Sequence, residues 1–399
     1  MIALLAEHQR AMAEADEAAF FAIFARGAAD DKGQLFTHLL AVEAWLRTAG
    51  RLPIRVKFLI EGEEEISSPN LEAIVRSHRA DLACDYTVIS DTTKLDAHTP
   101  VITYGTRGIV YKEIVVTGPG RDLHSGAFGG TVANPANALA SIIASLRDDF
   151  GRVRIPGFYA DVRSLSDDEQ AALKELRFDE SAYLASTGAP SLQGEHGHDT
   201  LQRRWIRPTL DVNGIAAGAG GEGLLTIIPA RASAKLSMRL VPDQNPQRIS
   251  EAFDDAVCCM CPPGVRLEII DHGQCKPYVA PIDLPAMSCV AGALEAGFGR
   301  RPVFVREGGT IPVISLFKKV LDVDTLMLGF ALPDCGAHAP NEFLMLEDFR
   351  NGARTAVELL HRLDGPRAPL PVGDTETCDG SADRFTRAKR TGFAWTPHP

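Results

Sequence analysis

Short apolar strand-like runs and amphipathic helical stripes alternate at both ends of this 399-residue chain, and the alternation breaks in the middle. Residues 34–49 carry Leu35, Phe36, Leu39, Leu40, Val42, Trp45 and Leu46 at helical spacing, closed by Gly50. Residues 55–60 are β-rich and run into 61–66. Ser68 is placed to cap a helix with Pro69 at its first position, continuing over 71–77. A strand over 86–90 ends at Asp91. This order predicts an α/β layer with a mostly parallel sheet. The middle reads differently, with strands over 108–118, 209–212, 231–241 and 265–270 and helices over 135–146 and 246–257. That order suits a small α+β sandwich inserted into the first layer. Alternation resumes with helices over 285–296, after Pro312 and over 346–363, and strands over 303–306 and 325–330. The expected division is 1–104 and 275–363 for the first domain, 105–274 for the insert, and 364–399 for an irregular tail rich in Pro, Gly, Thr, Asp and Arg.

Composition narrows the class. A hydrophobic share of 45% and a charged share of 23% are ordinary for a globular protein. No apolar run reaches the roughly 18–20 residues of a membrane span. The apolar patch within residues 1–14 is too short for a signal peptide. A net charge of −11 without a basic cluster argues against nucleic acid. The eight cysteines supply no two C-x-x-C pairs, so neither a zinc ribbon nor a disulfide framework is expected. The expected setting is cytoplasmic.

The chemistry concentrates in acids. Asp30 and Asp31 precede the first helix, and Glu61, Glu63, Glu64 and Glu65 follow a strand. Carboxylates converging at strand ends repel one another unless cations neutralise them. Oxygen ligands with one or two histidines suit a zinc or manganese pair. On extended backbone, neighbouring glutamates point opposite ways. One then ligates while the other reaches the attacking water. Taken alone, 61–65 reads as a solvated acidic loop, as charge runs usually do.

The motifs in order decide against that. Ala25-Arg26-Gly27-Ala28-Ala29-Asp30-Asp31-Lys32-Gly33, Glu61-Gly62-Glu63-Glu64-Glu65, Ser90-Asp91, Leu123-His124-Ser125-Gly126 and Gly336-Ala337-His338 occur together. So do Thr103-Tyr104-Gly105-Thr106-Arg107-Gly108, Thr226-Ile227-Ile228-Pro229, Arg239-Leu240-Val241-Pro242 and Arg306-Glu307-Gly308-Gly309-Thr310-Ile311-Pro312. Over roughly residues 24–363 the chain resembles the co-catalytic zinc metallopeptidase family of carnosinase, bacterial cytosolic dipeptidases, glutamate carboxypeptidase, succinyl-diaminopimelate desuccinylase and aminoacylase, on its carnosinase-like dipeptidase branch.

The resemblance implies a zinc-exopeptidase-type catalytic domain interrupted by a ferredoxin-like lid and dimerisation domain. It implies two Zn2+ per subunit, with Mn2+ or Co2+ as alternatives, and a small dipeptide as substrate. Asp30 would bridge the ions across a cis Asp30–Asp31 peptide bond. Glu65 and His338 would complete one ion position, and Asp91 would serve the other. Glu64 would be the general base. His124, which alone reads as a loop histidine capping a backbone carbonyl, would polarise the scissile carbonyl in the partner subunit of a homodimer. Arg239 would grip the terminal carboxylate. Thr310 would help; taken alone it reads as a helix N-cap, and both can hold. Asn213 is a weaker substrate-binding candidate, and Asn134 is expected to start a helix. The remaining histidines, His38 among them, are assigned to surface or packing.

The family's His-x-Asp segment, some thirty residues before the bridging aspartate, has no counterpart in the 29 residues before Asp30. Residues 11–24 read instead as an Ala-rich amphipathic helix. The expectation is therefore an incomplete or frame-shifted start and a second ion position short of a ligand. Two further readings stay open: an N-acyl amino acid deacylase or desuccinylase of the same fold, and a catalytically dead dimerising relative.

Overall fold

The stripe over 34–49 folds as helix α1 (Lys32–Ala49) in a computed structural model that describes residues 21–365 apart from 67, 166, 177, 221 and 222. Gly50, in left-handed conformation at φ 70°, donates its N–H to the Leu46 carbonyl and stops the helix. The expected tail and residues 1–20 lie outside the described residues. Residues 22–24 correct the expectation of a helix over 11–24. They form strand β1 (Ala22–Phe24), antiparallel to β13 (Phe343–Met345).

The first sheet contains β2 (Tyr86–Ile89), β3 (Val101–Thr106), β10 (Tyr278–Val279), β11 (Val303–Glu307) and β12 (Asp324–Gly329), in the order β10-β3-β12-β2 with β11 also on β3. It is mixed rather than mostly parallel. β11 on β3 and β2 on β12 are parallel, while β10 on β3 and β3 on β12 are antiparallel. A parallel neighbour needs a long crossover, usually a helix. The chain between β2 and β3 has none.

Residues 55–60 form no strand. No described strand pairs with them, and Phe58, Leu59 and Ile60 stay exposed. Their β-rich composition lacks the ladder that would fix it. Ser68 does not cap a helix. Helix α2 (Leu71–Ser77) starts after Asn70, and the Ser68 hydroxyl donates to Glu61 at 2.9 Å.

Helices α9 (Pro285–Phe298), α10 (Pro312–Leu321) and α11 (Leu346–Leu363) follow the predicted order. Helices α9, α10 and α11 and the sheet enclose a core containing Ile102, Leu294, Ile314, Leu328, Phe330 and Leu359. Helix α1 lies along α11, with the Trp45 indole N–H on the Val357 carbonyl at 3.2 Å.

A second, fully antiparallel sheet runs β6-β8-β4-β9, from β4 (Gly108–Thr117), β6 (Thr209–Ala217), β8 (Arg231–Leu240) and β9 (Arg266–Cys275). With α4 (Pro135–Ser145) and α8 (Pro246–Met260) its chain order is strand-helix-strand-strand-helix-strand. Asn134 caps α4 by accepting the Ala136 N–H at 2.9 Å. Ile114, Leu139, Ile142, Leu236 and Phe253 form this module's own core. Strand β6 runs five residues past the predicted end at 212. The chain enters the module between Thr106 and Gly108 and leaves it between Cys275 and Tyr278. A Cβ on Gly108 would meet the Cys275 oxygen and the Pro277 nitrogen at 2.6 Å, so the two passages touch. Among the described residues no helix is long and apolar enough to cross a membrane.

Candidate metal centre and carboxylate grip

The pairing of β1 with β13 lays the loop 25–31 against the loop 335–342. Ala25 N–H donates to the Glu342 carbonyl at 3.1 Å, and Phe343 N–H to the Cys335 carbonyl at 2.9 Å. Ala28, Ala29, Ala331, Cys335 and Leu344 form a small core beneath both loops. Gln34 ties the first loop to the sheet, donating to the Ala29 carbonyl and accepting the Phe330 N–H, both at 2.7 Å. Asp31 is the N-cap of α1, and the Asp30–Asp31 peptide bond is cis.

Asp30 and His338 thereby meet, with His338 Nε2 2.7 Å from an Asp30 oxygen and 3.1 Å from Glu65. The ligand atoms of Asp30, Glu65 and His338 all lie within 4.8 Å of one another. One imidazole and two carboxylates make the three-ligand set of a catalytic zinc with a position left for water. The residues present therefore fit a divalent ion.

The Glu-Gly-Glu-Glu-Glu run divides its labour. Glu61 accepts from Ser68 and Glu63 from Asn70, so these two brace the turn. Glu65 faces His338 and the Arg26 guanidinium. Residues 64–66 form a 3-10 turn, which corrects the expectation of opposed neighbours on extended backbone. At about three residues per turn, adjacent side chains diverge by roughly 120°. Glu64 can therefore lean toward the cluster that Glu65 joins. Burial, then the charges of Glu65, Asp30, Glu61 and Asp31, raise the Glu64 carboxyl above its ordinary range.

Asp91 follows β2 and lies among Asp30, Asp31 and Glu64. Burial, then Asp30, Asp31 and Glu64, push its carboxyl up to about 8. Asp31 is also raised, by burial first and Asp30 second. Three acids held above their ordinary range in one cluster, Asp31, Glu64 and Asp91, are the electrostatic signature of a cation site.

The candidate carboxylate grip sits where the modules meet. Arg239 on β8 donates to the Thr310 hydroxyl at 2.7 Å, and that hydroxyl donates to the Arg107 carbonyl at 2.7 Å. Arg107 Nε donates to the Gly308 carbonyl at 2.7 Å. Thr310 caps no helix: the N-cap of α10 is Ile311, whose side chain makes no capping bond. Burial foremost, and the neighbouring Arg239 next, lower Arg107 to about 10.

His124 ends the short strand β5 (Leu123–His124), paired with β7 (Ile227–Ile228). Its Nδ1 accepts the Gly126 N–H at 3.0 Å, so the ring proton sits on Nε2 in the neutral form. Asn213 falls at the register shift between Val212 and Gly214 and is exposed. Among the described residues neither His124 nor Asn213 makes a polar contact with the acids.

Four contributors escaped the sequence reading. Arg26, Arg107 and Glu342 become visible only when distant loops meet. His38, read as surface or packing, is held 2.8 Å from the Ser90 hydroxyl next to Asp91. Burial lowers its imidazole to about 4.

The pattern of peptidase family M20/M25/M40 matches residues 13–362. Cys-Gly metallodipeptidase DUG1 of Candida albicans is 33% identical over 346 residues, spanning 85% of this chain and 71% of that protein. Human Beta-Ala-His dipeptidase is 30% identical over 83% of this chain and 66% of its own length. The crystal structure of an M20 family metallo-carboxypeptidase, Sso-CP2 from Sulfolobus solfataricus, superposes with a TM-score of 0.79 at 33% identity, covering 87% of this chain and 78% of the other. A match running through nearly every element described above places the chain in peptidase family M20/M25/M40.

Proposed function

We propose that the protein is a metal-dependent dipeptidase with Glu64 as general base. The observation that carries this reading is the convergence of Asp30, Glu65 and His338 within 4.8 Å of one another beside a glutamate of raised pKa. Asp30, Glu65 and His338 would hold one divalent ion, zinc or manganese, with Asp91 and Asp30 serving a second. When bound, such an ion neutralises the acids and makes a nearby water easier to deprotonate. Glu64 takes that proton and returns it to the leaving amine, a task for which a raised carboxyl is suited.

The Arg239–Thr310 pair would hold the terminal carboxylate of the substrate, two fixed donors giving direction as well as charge. His124, protonated on Nε2, is a donor for the carbonyl oxygen as charge develops there. We read the four-stranded module as a lid that also joins two subunits, so that His124 serves the partner's centre.

The test is turnover of a dipeptide panel by chelator-treated protein with zinc or manganese restored. Metal-dependent release of free amino acids, abolished in Glu64→Ala, is the expected result. No metal-dependent turnover, or turnover untouched by Glu64→Ala, would sink the reading. The likeness to a metallo-carboxypeptidase supports a second reading, in which the substrate's amine is blocked or extended. Preference for N-acylated over free dipeptides would favour it.

A further inference from the structure

Beyond the ligands themselves, Glu342 reaches the supports of all three, by its side chain for Asp30 and Glu65 and by its backbone carbonyl for His338. It comes from the loop before β13, its carboxylate is 1% exposed, and each oxygen serves two donors. Oε1 accepts the Ala29 and Asp30 N–H groups, both at 2.9 Å. Oε2 accepts the Gly27 N–H and the Arg26 guanidinium, both at 3.0 Å. Four donors occupy about all the lone-pair positions a carboxylate has.

We propose that Glu342 is a positioning residue that sets the mutual geometry of Asp30, Glu65 and His338 for a divalent cation. This inference rests on the metal-centre reading above. The three links are separate. Asp30 is fixed through its own N–H. Glu65 is fixed through Arg26, which Glu342 holds on the other side. His338 is fixed because it shares the 335–342 loop, whose end is tied by the Glu342 carbonyl to Ala25 N–H at 3.1 Å.

The chemistry favours an ionised carboxylate at this position. Four N–H donors converge on this carboxylate, and hydrogen bonds to the charged form of a carboxyl favour that form. A glutamine cannot reproduce the arrangement. Its amide nitrogen would point N–H groups at N–H groups on one side, leaving buried donors unpaired. The cost then falls on the distances between the ligands, as supporting bonds to metal ligands commonly carry about 10–100-fold in affinity.

The experiment measures zinc affinity of the full chain by competition with a chromophoric chelator. Wild type, Asp30→Asn, Glu342→Gln and Arg26→Gln are compared, with far-UV circular dichroism of each metal-free protein. The expected result is a dissociation constant raised about 10–100-fold in Glu342→Gln at unchanged helix content, and raised less in Arg26→Gln, which leaves the three amide bonds in place. Wild-type affinity in a folded Glu342→Gln overturns the proposal. Should Glu342→Gln not fold, Arg26→Gln decides: an unchanged dissociation constant overturns the proposal, a raised one supports it. If Asp30→Asn leaves wild-type binding intact, the metal-centre reading itself fails, and this inference with it.

Discussion

Glu64 and Glu65 are adjacent, chemically identical and assigned opposite work, and only their surroundings separate them. Glu65 is met by Arg26 and His338, whereas at Glu64 desolvation and then the neighbouring like charges raise the carboxyl. Removing the proton acceptor while keeping its shape should lower kcat about 100–10,000-fold with KM little changed, measured by initial rates of Glu64→Gln on the best dipeptide. His38 yields a prediction of a different kind. Its folded pKa of about 4 lies below its ordinary 6.5, so on acidification the unfolded chain takes up the proton first. Stability is then complete above pH 6.5 and is lost progressively as pH falls toward 4. The loss is at most about 3 kcal/mol, and urea titrations across that range should flatten in His38→Gln. The candidate ligands could be picked out because each sits in a local motif, such as Gly336-Ala337-His338. Glu342 and His38 were not, since their roles depend on contacts with residues hundreds or tens of positions away, such as Gly27 and Ser90.

At the scale of elements, helix α9 crosses α11 at Gly297, where a Cβ would lie 2.0 Å from the Thr355 hydroxyl and 2.7 Å from the Asn351 carbonyl. Both neighbours belong to one helix, so relief requires the whole helix to shift. Gly297→Ala should cost about 1–3 kcal/mol in equilibrium urea unfolding, with the slope m unchanged. An alanine accepted at no cost would show that the crossing has slack. The periodicities that gave α1, α4, α8 and α11 their places are local properties and could be read directly. Residues 55–60 show where such reading stops. The apolar alternation is present, but a strand exists only with its neighbour, and the neighbour is not specified by those six residues. The mixed sheet has the same origin, because strand direction follows from the short connection between β2 and β3 rather than from either strand.

At the scale of the molecule, two modules with separate cores divide the proposed chemistry: the acids and His338 lie in loops of the first, while the second carries Arg239 on its four-stranded sheet and His124 on the two-stranded β5–β7 pair. If the second serves a partner's centre, two inactive variants should complement each other. Mixing Glu64→Gln with His124→Ala after dissociation and reassociation leaves one intact centre in each mixed dimer, and about a quarter of wild-type activity should return. Equal inactivity of the mixture, or an active monomer by light scattering, counts against the shared arrangement. The expected boundary at 104/105 falls just before β4, the first strand of the second sheet along the chain. What no local pattern could tell is that the chain enters and leaves the second sheet side by side, at Gly108 and at Cys275–Pro277.

That adjacency has a mechanical meaning. Two covalent links packed within van der Waals contact behave like paired pins on one edge of a panel: sliding and twisting are resisted, and swinging about the line through them is the remaining soft motion. Arg107 lies on that line and carries through its carbonyl the bond to Thr310, which in turn receives Arg239 from the far side. A ligand bridging Arg239 and the acids would therefore tie the two halves together across that line, turning occupancy of the centre into a single angle between them.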